Sequence, residues 1–170
     1  VSFTAEQWDI ARGVFSRSLP TSLHYAVATV NPDGSPHVTP IGSLILFDDG
    51  RGLFLDGYLG TTDRNLRRDN RICVLAVHSS RLMFLKALIA GRFSAPPGIR
   101  LTGVVGDKRP ATPEEVGLFL RRVRRYRALK GHDLLWGGLR FVREVTFDVA
   151  HPVRAGAMTT GLWPNAGSGR

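Results

Sequence analysis

Apolar residues at the head of the chain recur at helical spacing: Trp8, Ala11, Val14 and Phe15 share one face of a run that Pro20 is expected to stop. Thr4 and Gln7 stand before it at capping-box spacing. The period then drops to two. Stretches 25–30 and 38–47, rich in β-branched and aromatic residues, flank Pro32-Asp33-Gly34, a tight turn in which Gly34 supplies a positive φ. A further strand is predicted over 53–56, after DDGRG, and a short helix over 62–69 runs straight into a strand over 71–78. From 80 to 90, Leu82, Leu85, Leu88 and Ile89 keep helical spacing, so a helix is preferred there. IRLTGVVGDK reads as another strand. Next, Thr112 caps a helix, Pro113 takes its first position and Glu115 completes a capping box. Val116, Leu120 and Val123 face inward on it, and Gly131 is expected to end it. A last strand is predicted over 139–149, before a tail rich in Gly and Thr that ends near Trp163.

This gives five to seven antiparallel strands with helices at the start, in the middle and near the end: an α+β chain. A sheet of that size avoids exposed edges by closing, so a small barrel is expected. Neither a repeat nor a long linker divides the sequence. One domain over residues 1–170 is expected, with a helical segment 1–19, a barrel over about 20–150 and a tail over 151–170.

Composition narrows the classes. Of 170 residues 43% are apolar and 22% charged, as in ordinary globular chains. The N-terminus is polar and no apolar run approaches the ~20 residues of a membrane span, so a cytoplasmic protein with no membrane partner is expected. Cys73, the single cysteine, lies in an apolar strand and is read as a buried thiol in a reducing compartment. Twenty-three Lys and Arg against 14 acids give +9, which suggests an anionic partner: a phosphorylated small molecule, nucleic acid or a membrane surface.

Catalytic spacings of the usual kinds are missing. His24, His37, His78, His132 and His151 form no close pair and have no cysteine at ligand spacing, so no metal is expected. Ser79-Ser80 lacks the G-x-S-x-G context, and no glycine-rich dinucleotide or P-loop fingerprint occurs. RRVRRYR at 121–127 spreads its arginines around a helix and is read first as a solvated face, then as a phosphate-tracking patch or a set of ion pairs with a second subunit. Nucleic acid is the weaker partner, because aromatic and basic residues do not alternate.

One constellation remains. HVTPIG ends one strand, LFLDGYLG ends another, and TTDRNLRRD follows at once. Thr61 and Thr62 are helix caps on the plain reading. On the other, the first-turn N–H groups and the positive end of the helix dipole bind a phosphate over which Arg64 closes. Neighbouring strands of a meander would bring Thr39, Gly57 and 61–64 together, as a planar ligand with a phosphate tail requires.

These pieces resemble the pyridoxamine 5′-phosphate oxidase-like, flavin-binding split barrels. AVATVNPDGSPHVTPIG resembles the family's first hairpin. GLFLDGYLGTTDRNLRRDNRICVLAV resembles its strand, phosphate turn and R-N-L-R-x-[DN] helix, and IRLTGVVGD its later R-x-x-G strand. The resemblance covers about residues 20 to 150. It implies a split β-barrel of about six antiparallel strands with flanking helices, forming a homodimer with FMN at the interface; relatives use a deazaflavin coenzyme or haem instead. Carried onto this chain, Val38, Thr39 and Pro40 line the flavin ring edge, Thr61, Thr62 and Arg64 hold the phosphate, and Asn65 supports the turn. Many members have Lys or Arg at the position of Thr62, so Arg67, Arg68 or the partner subunit is expected to supply that charge. Nothing in the tail matches a substrate-binding ending. RLMFLKALIAGRF resembles an insertion, either a lid over the flavin or part of the dimer contact. Trp163 either stacks near the cofactor in the partner subunit or anchors the tail. The functions implied are an FMN-dependent oxidoreductase acting on a small organic substrate or a non-catalytic flavin, deazaflavin or haem carrier, with a nucleic-acid-binding domain behind both.

Overall fold

The computed structural model describes residues 2–57 and 60–164. Helix α1 (Ala5–Ser22) opens on the expected capping box: Gln7 N donates to Thr4 Oγ1 at 3.2 Å and Thr4 N donates to Gln7 Oε1 at 2.9 Å. Pro20 does not stop α1. A proline in the last turn forfeits one backbone bond, and the helix continues for two residues until Leu23 turns left-handed at φ 62° and donates to Leu19 O at 2.7 Å.

Strands β1 (Tyr25–Val30) and β2 (Pro36–Ile41) form the first hairpin, turned by Gly34 at φ 85°. The long strand expected over 38–47 is broken into β2 and β3 (Ile45–Leu46). Ser43 makes the break: its hydroxyl accepts from Leu55 N at 3.0 Å and donates to Leu55 O at 3.1 Å, replacing a ladder rung. Gly42 lies so close to Leu23 O that a Cβ would sit 2.9 Å from it. The chain turns a barrel corner there. Then follow β4 (Arg51–Leu55), α2 (Gly60–Arg68), β5 (Arg71–Val77), α3 (Arg81–Ala90), β6 (Gly98–Val105) and β7 (Arg109–Pro110). Helix α4 (Pro113–Val123), a 3-10 turn (Arg124–Tyr126), α5 (Gly131–Trp136) and β8 (Phe141–Pro152) complete the order, before a last 3-10 turn (Gly156–Thr159). Gly131 therefore begins a helix and does not end one; α4 closes eight residues earlier by tightening into the 3-10 turn.

All pairings are antiparallel, in the order β2-β1-β5-β6-β8-β4-β3 with β7 also on β8, and the sheet curls into a split barrel. Two apolar clusters hold it. Trp8, Val14 and Phe15 of α1 fill the concave side with Val27, Phe54, Val74, Ile99, Leu101 and Phe147. Phe119 and Val123 of α4 cover the other side of β4 and β8, over Leu53, Leu55 and Val142. Both faces of β4 are thus buried, which is why its sequence does not alternate. Cys73 is half-buried, less enclosed than expected, because it lies on the face of β5 opposite the buried Ile72, Val74 and Ala76.

Helix α3 forms where the spacing predicts, with Ser80 Oγ accepting from Met83 N at 3.3 Å and Gly91 closing it at φ 67°. Its apolar residues, however, face outward. Leu82, Phe84, Leu85, Leu88 and Ile89 are all more than half exposed, and Ala87 is the helix residue that is buried.

Candidate functional site

Helix α2 starts just past the end of β4 and packs on β1. Asn65 pins it. This buried side chain donates from Nδ2 to Thr29 Oγ1 at 3.1 Å and to Asn31 Oδ1 at 2.9 Å. Arg68 adds bonds to the carbonyls of Val30 and Asn31, at 3.2 and 2.7 Å. Thr62 is buried within the protein, so its hydroxyl is not offered at the surface. Thr61 and Arg64 are. Arg64 is exposed, and its Nη2 donates to Thr61 Oγ1 at 3.1 Å.

Beneath them lies an ion network that sequence reasoning missed. Asp56 and Arg143 are both buried, and Arg143 Nε donates to Asp56 Oδ2 at 2.9 Å. The same guanidinium reaches Asp63 Oδ1 at 2.6 Å and Gly106 O at 3.0 Å. Lys108 Nζ stands 3.4 Å from Asp56 Oδ1, which has no hydrogen-bond donor among the described residues, and Arg67 Nε donates to Asp63 Oδ2 at 3.0 Å. Burial alone would push the Asp63 carboxyl up, but the bonds from Arg143 and Arg67 and the charge of Lys108 more than offset it and hold it below the usual carboxylate range. The network fixes the first turn of α2 to the end of β4 and to β8. No spacing links Asp56, Lys108 and Arg143, and in FVREVTFDV the arginine beside Glu144 looks like any exposed strand charge.

The other expected residues are spread around this turn. Gly57 is exposed, and a Cβ there would sit 2.7 Å from Leu139 Cδ2, a side-chain end that would have to move aside. Thr39 is half-buried opposite Val27, two residues along β1 from the Thr29 that Asn65 holds. Val38 and Pro40 point to the opposite, exposed face of β2. Because β2 ends the sheet, one of its two backbone edges has no strand partner. Trp163 packs against the barrel core of its own chain, and Gln7 Nε2 donates to the neighbouring Pro164 O at 2.6 Å. Thus α2 and β1 bring Thr61, Arg64 and Asn65 together with Thr39 close by, while Trp163 lies against α1.

The donor set at α2 suits a phosphate. An exposed guanidinium and a hydroxyl stand together at the start of α2, where the first-turn N–H groups also lie, and the carboxylates of Asp56 and Asp63 are neutralised by Arg67, Lys108 and Arg143. Among the described residues, no group of three or more His, Cys, Asp or Glu side chains is placed to hold a metal ion, and no helix is long and apolar enough to cross a membrane. The arginines of 121–127 do not form one stripe: Arg122 Nη1 donates to Leu44 O at 2.7 Å, and Arg125 lies 4.7 Å from the centre of the Tyr126 ring.

Solved structures share this architecture at low identity. An FMN-binding protein from Syntrophomonas wolfei subsp. wolfei superposes with a TM-score of 0.60 at 13% identity, covering 88% of each chain. An F420 reductase gives 0.55 at 17% identity over 82% of this chain and 94% of its own. HutZ, the haem storage protein of Vibrio cholerae, gives 0.52 at 12% identity over 85% and 92%. No curated protein matches the sequence. The family model for pyridoxamine 5′-phosphate oxidase matches residues 17–144, three quarters of the sequence, and the chain belongs to that family.

Proposed function

We propose that the protein is a homodimeric, FMN-dependent oxidoreductase that binds the flavin phosphate at the start of α2 and passes electrons to or from a small organic substrate. The observation that carries this reading is Arg64: exposed at the head of a nine-residue helix, it bonds to the Thr61 hydroxyl and, among the described residues, has no carboxylate partner. Its charge is therefore available to an anion. The unpartnered edge of β2 at 38–40 supplies backbone groups for a ring edge, and Asn65 keeps α2 on β1 so that both ends of the ligand are held in register. When bound, the flavin supplies the redox chemistry; the protein binds it, orients it and shields it. That division of labour accounts for a site with no acid–base pair of its own.

The first test is the absorption spectrum of the purified protein, with chromatography of the group released on denaturation. FMN is the expected product. Arg64→Ala is expected to weaken FMN at least about tenfold while leaving riboflavin, which lacks the phosphate, nearly unchanged. Equal losses for the two would remove the phosphate role. A second reading, a carrier of deazaflavin or haem, draws on the two neighbours named for F420 and haem. A Soret band, or full occupancy without turnover by any reduced donor, would select it.

A further inference from the structure

Away from α2, a cleft of about 900 Å³ opens between the second half of α1, the Gly42–Leu44 corner and the α4–α5 segment. It lies at the Tyr25 end of β1, whereas α2 is tied to the other end at Thr29 and Asn31. None of its lining residues belongs to α2 or to positions 38–40. Its volume is that of a small-molecule site.

The walls have two chemistries. Phe15 and Leu44 form one side. Phe119, Tyr126 and Trp136 form the other as an aromatic group, with Trp136 6.1 Å from Phe119 and 6.2 Å from Tyr126 between ring centres. Every ionisable group on the lining other than Tyr25 and Tyr126 is basic: Arg12, Arg122, Arg125 and His132. Among the described residues, no carboxylate lines the cleft.

Arg122 is the focus. One of its five N–H groups is committed to Leu44 O at 2.7 Å, and no carboxylate among the described residues pairs with it. Arg122 is on the cleft lining with its other N–H groups uncommitted among the described residues, and the partial burial of its head holds its pKa below the usual arginine value despite the nearby Tyr25. A guanidinium without a counterion at the edge of an apolar cleft is a ready partner for an anion whose apolar part fills that cleft. Arg12 has only an exposed, 3.5 Å pair with Asp9, too weak to neutralise it.

We propose that this cleft is a second binding site, for an amphipathic organic anion whose carboxylate or sulfonate pairs with Arg122 and whose apolar body lies against Phe119, Tyr126 and Trp136. It stands independently of the cofactor. The test uses anilinonaphthalene sulfonate as probe, with the uncharged phenylnaphthylamine as its neutral counterpart, read by probe fluorescence and by quenching of tryptophan emission. The wild-type protein is expected to bind the sulfonate saturably. Arg122→Met is expected to weaken the sulfonate at least about tenfold and the neutral probe little. Ser16→Trp, which fills the cleft from an exposed position on α1 and leaves Arg122 in place, is expected to weaken both. Leu85→Gln with Ile89→Gln, on the apolar face of α3, is expected to change neither. Sulfonate binding that survives Ser16→Trp, or is lost in the α3 variant, would overturn the assignment. So would binding that fades as protein concentration rises, since the cleft would then be an interface between copies.

Discussion

Arg143 and Asp56 meet at 2.9 Å with almost no solvent around either, so each is tolerable only because of the other. Arg143→Met leaves a buried carboxylate facing Lys108 alone, and is expected to cost about 3–5 kcal/mol in urea unfolding. Replacing Asp56 by Leu in the same chain is expected to recover part of that loss, because no charge is then stranded there. Asp63 supplies a pH signature. Its folded pKa lies below its unfolded value of about 3.9, so its contribution is complete well above pH 4 and is lost as pH falls through the folded value. Thermal melts between about pH 6 and pH 2 are expected to show a shallower acid decline in Asp63→Asn than in the wild type. A sequence shows which residues carry charge but not which are driven together. That Thr61, Arg64 and Asn65 stand together on α2 was legible because a helix orders its own turns. Asp56, Lys108 and Arg143 were not, because fold alone brings residues so far apart along the chain into one network.

Among elements, the legible ones were those with local causes. The capping boxes at Thr4 and Thr112 and the Gly34 turn stand where the residues place them. What the sequence did not show depended on neighbours: Ser43 breaking a strand, Pro20 carried within α1, and α4 tightening before Gly131. Strand β6 carries another such dependence. Its register with β8 shifts between Thr102 and Gly103, and a Cβ on Gly103 would collide with the backbone of Thr146 and Phe147. Gly103→Ala is expected to destabilise by about 1–3 kcal/mol, read as a lower Tm with the fold kept in the surviving folded fraction. Alanine at the exposed Gly131, where a Cβ meets nothing within 4 Å, is the matched control and is expected to change Tm little.

At the scale of the molecule, the exposed face of α3 is the unresolved surplus. Five large apolar side chains stand outward on one short helix, with Arg81 and Lys86 the charged residues among them. A patch of that kind is expected to be covered. The proposed homodimer offers a cover, and sedimentation at micromolar concentration is expected to give a dimer; a monomer there would remove the second subunit from the proposed cofactor site. The α+β class and the barrel were readable in advance because alternation and turn residues repeat along the chain, whereas the packing of α4 and α5 on the barrel's outer side was not, since their apolar faces look the same whichever surface receives them.

The strand order also sets a timetable. β8 lies between β6 and β4, yet it is made after all seven other strands. While the chain is being synthesised, β1, β2, β5 and β6 can pair as they emerge, but the β3–β4 hairpin has nothing to join, and Leu53, Phe54 and Leu55 wait uncovered. The two parts of the sheet become one only when residues 141–152 leave the ribosome. Arg143 arrives on that same strand, so Asp56 receives its counterion at the moment the barrel is completed. For most of its synthesis this protein is therefore two unjoined pieces of sheet, and a nascent chain stalled before β8 is a natural client for a chaperone.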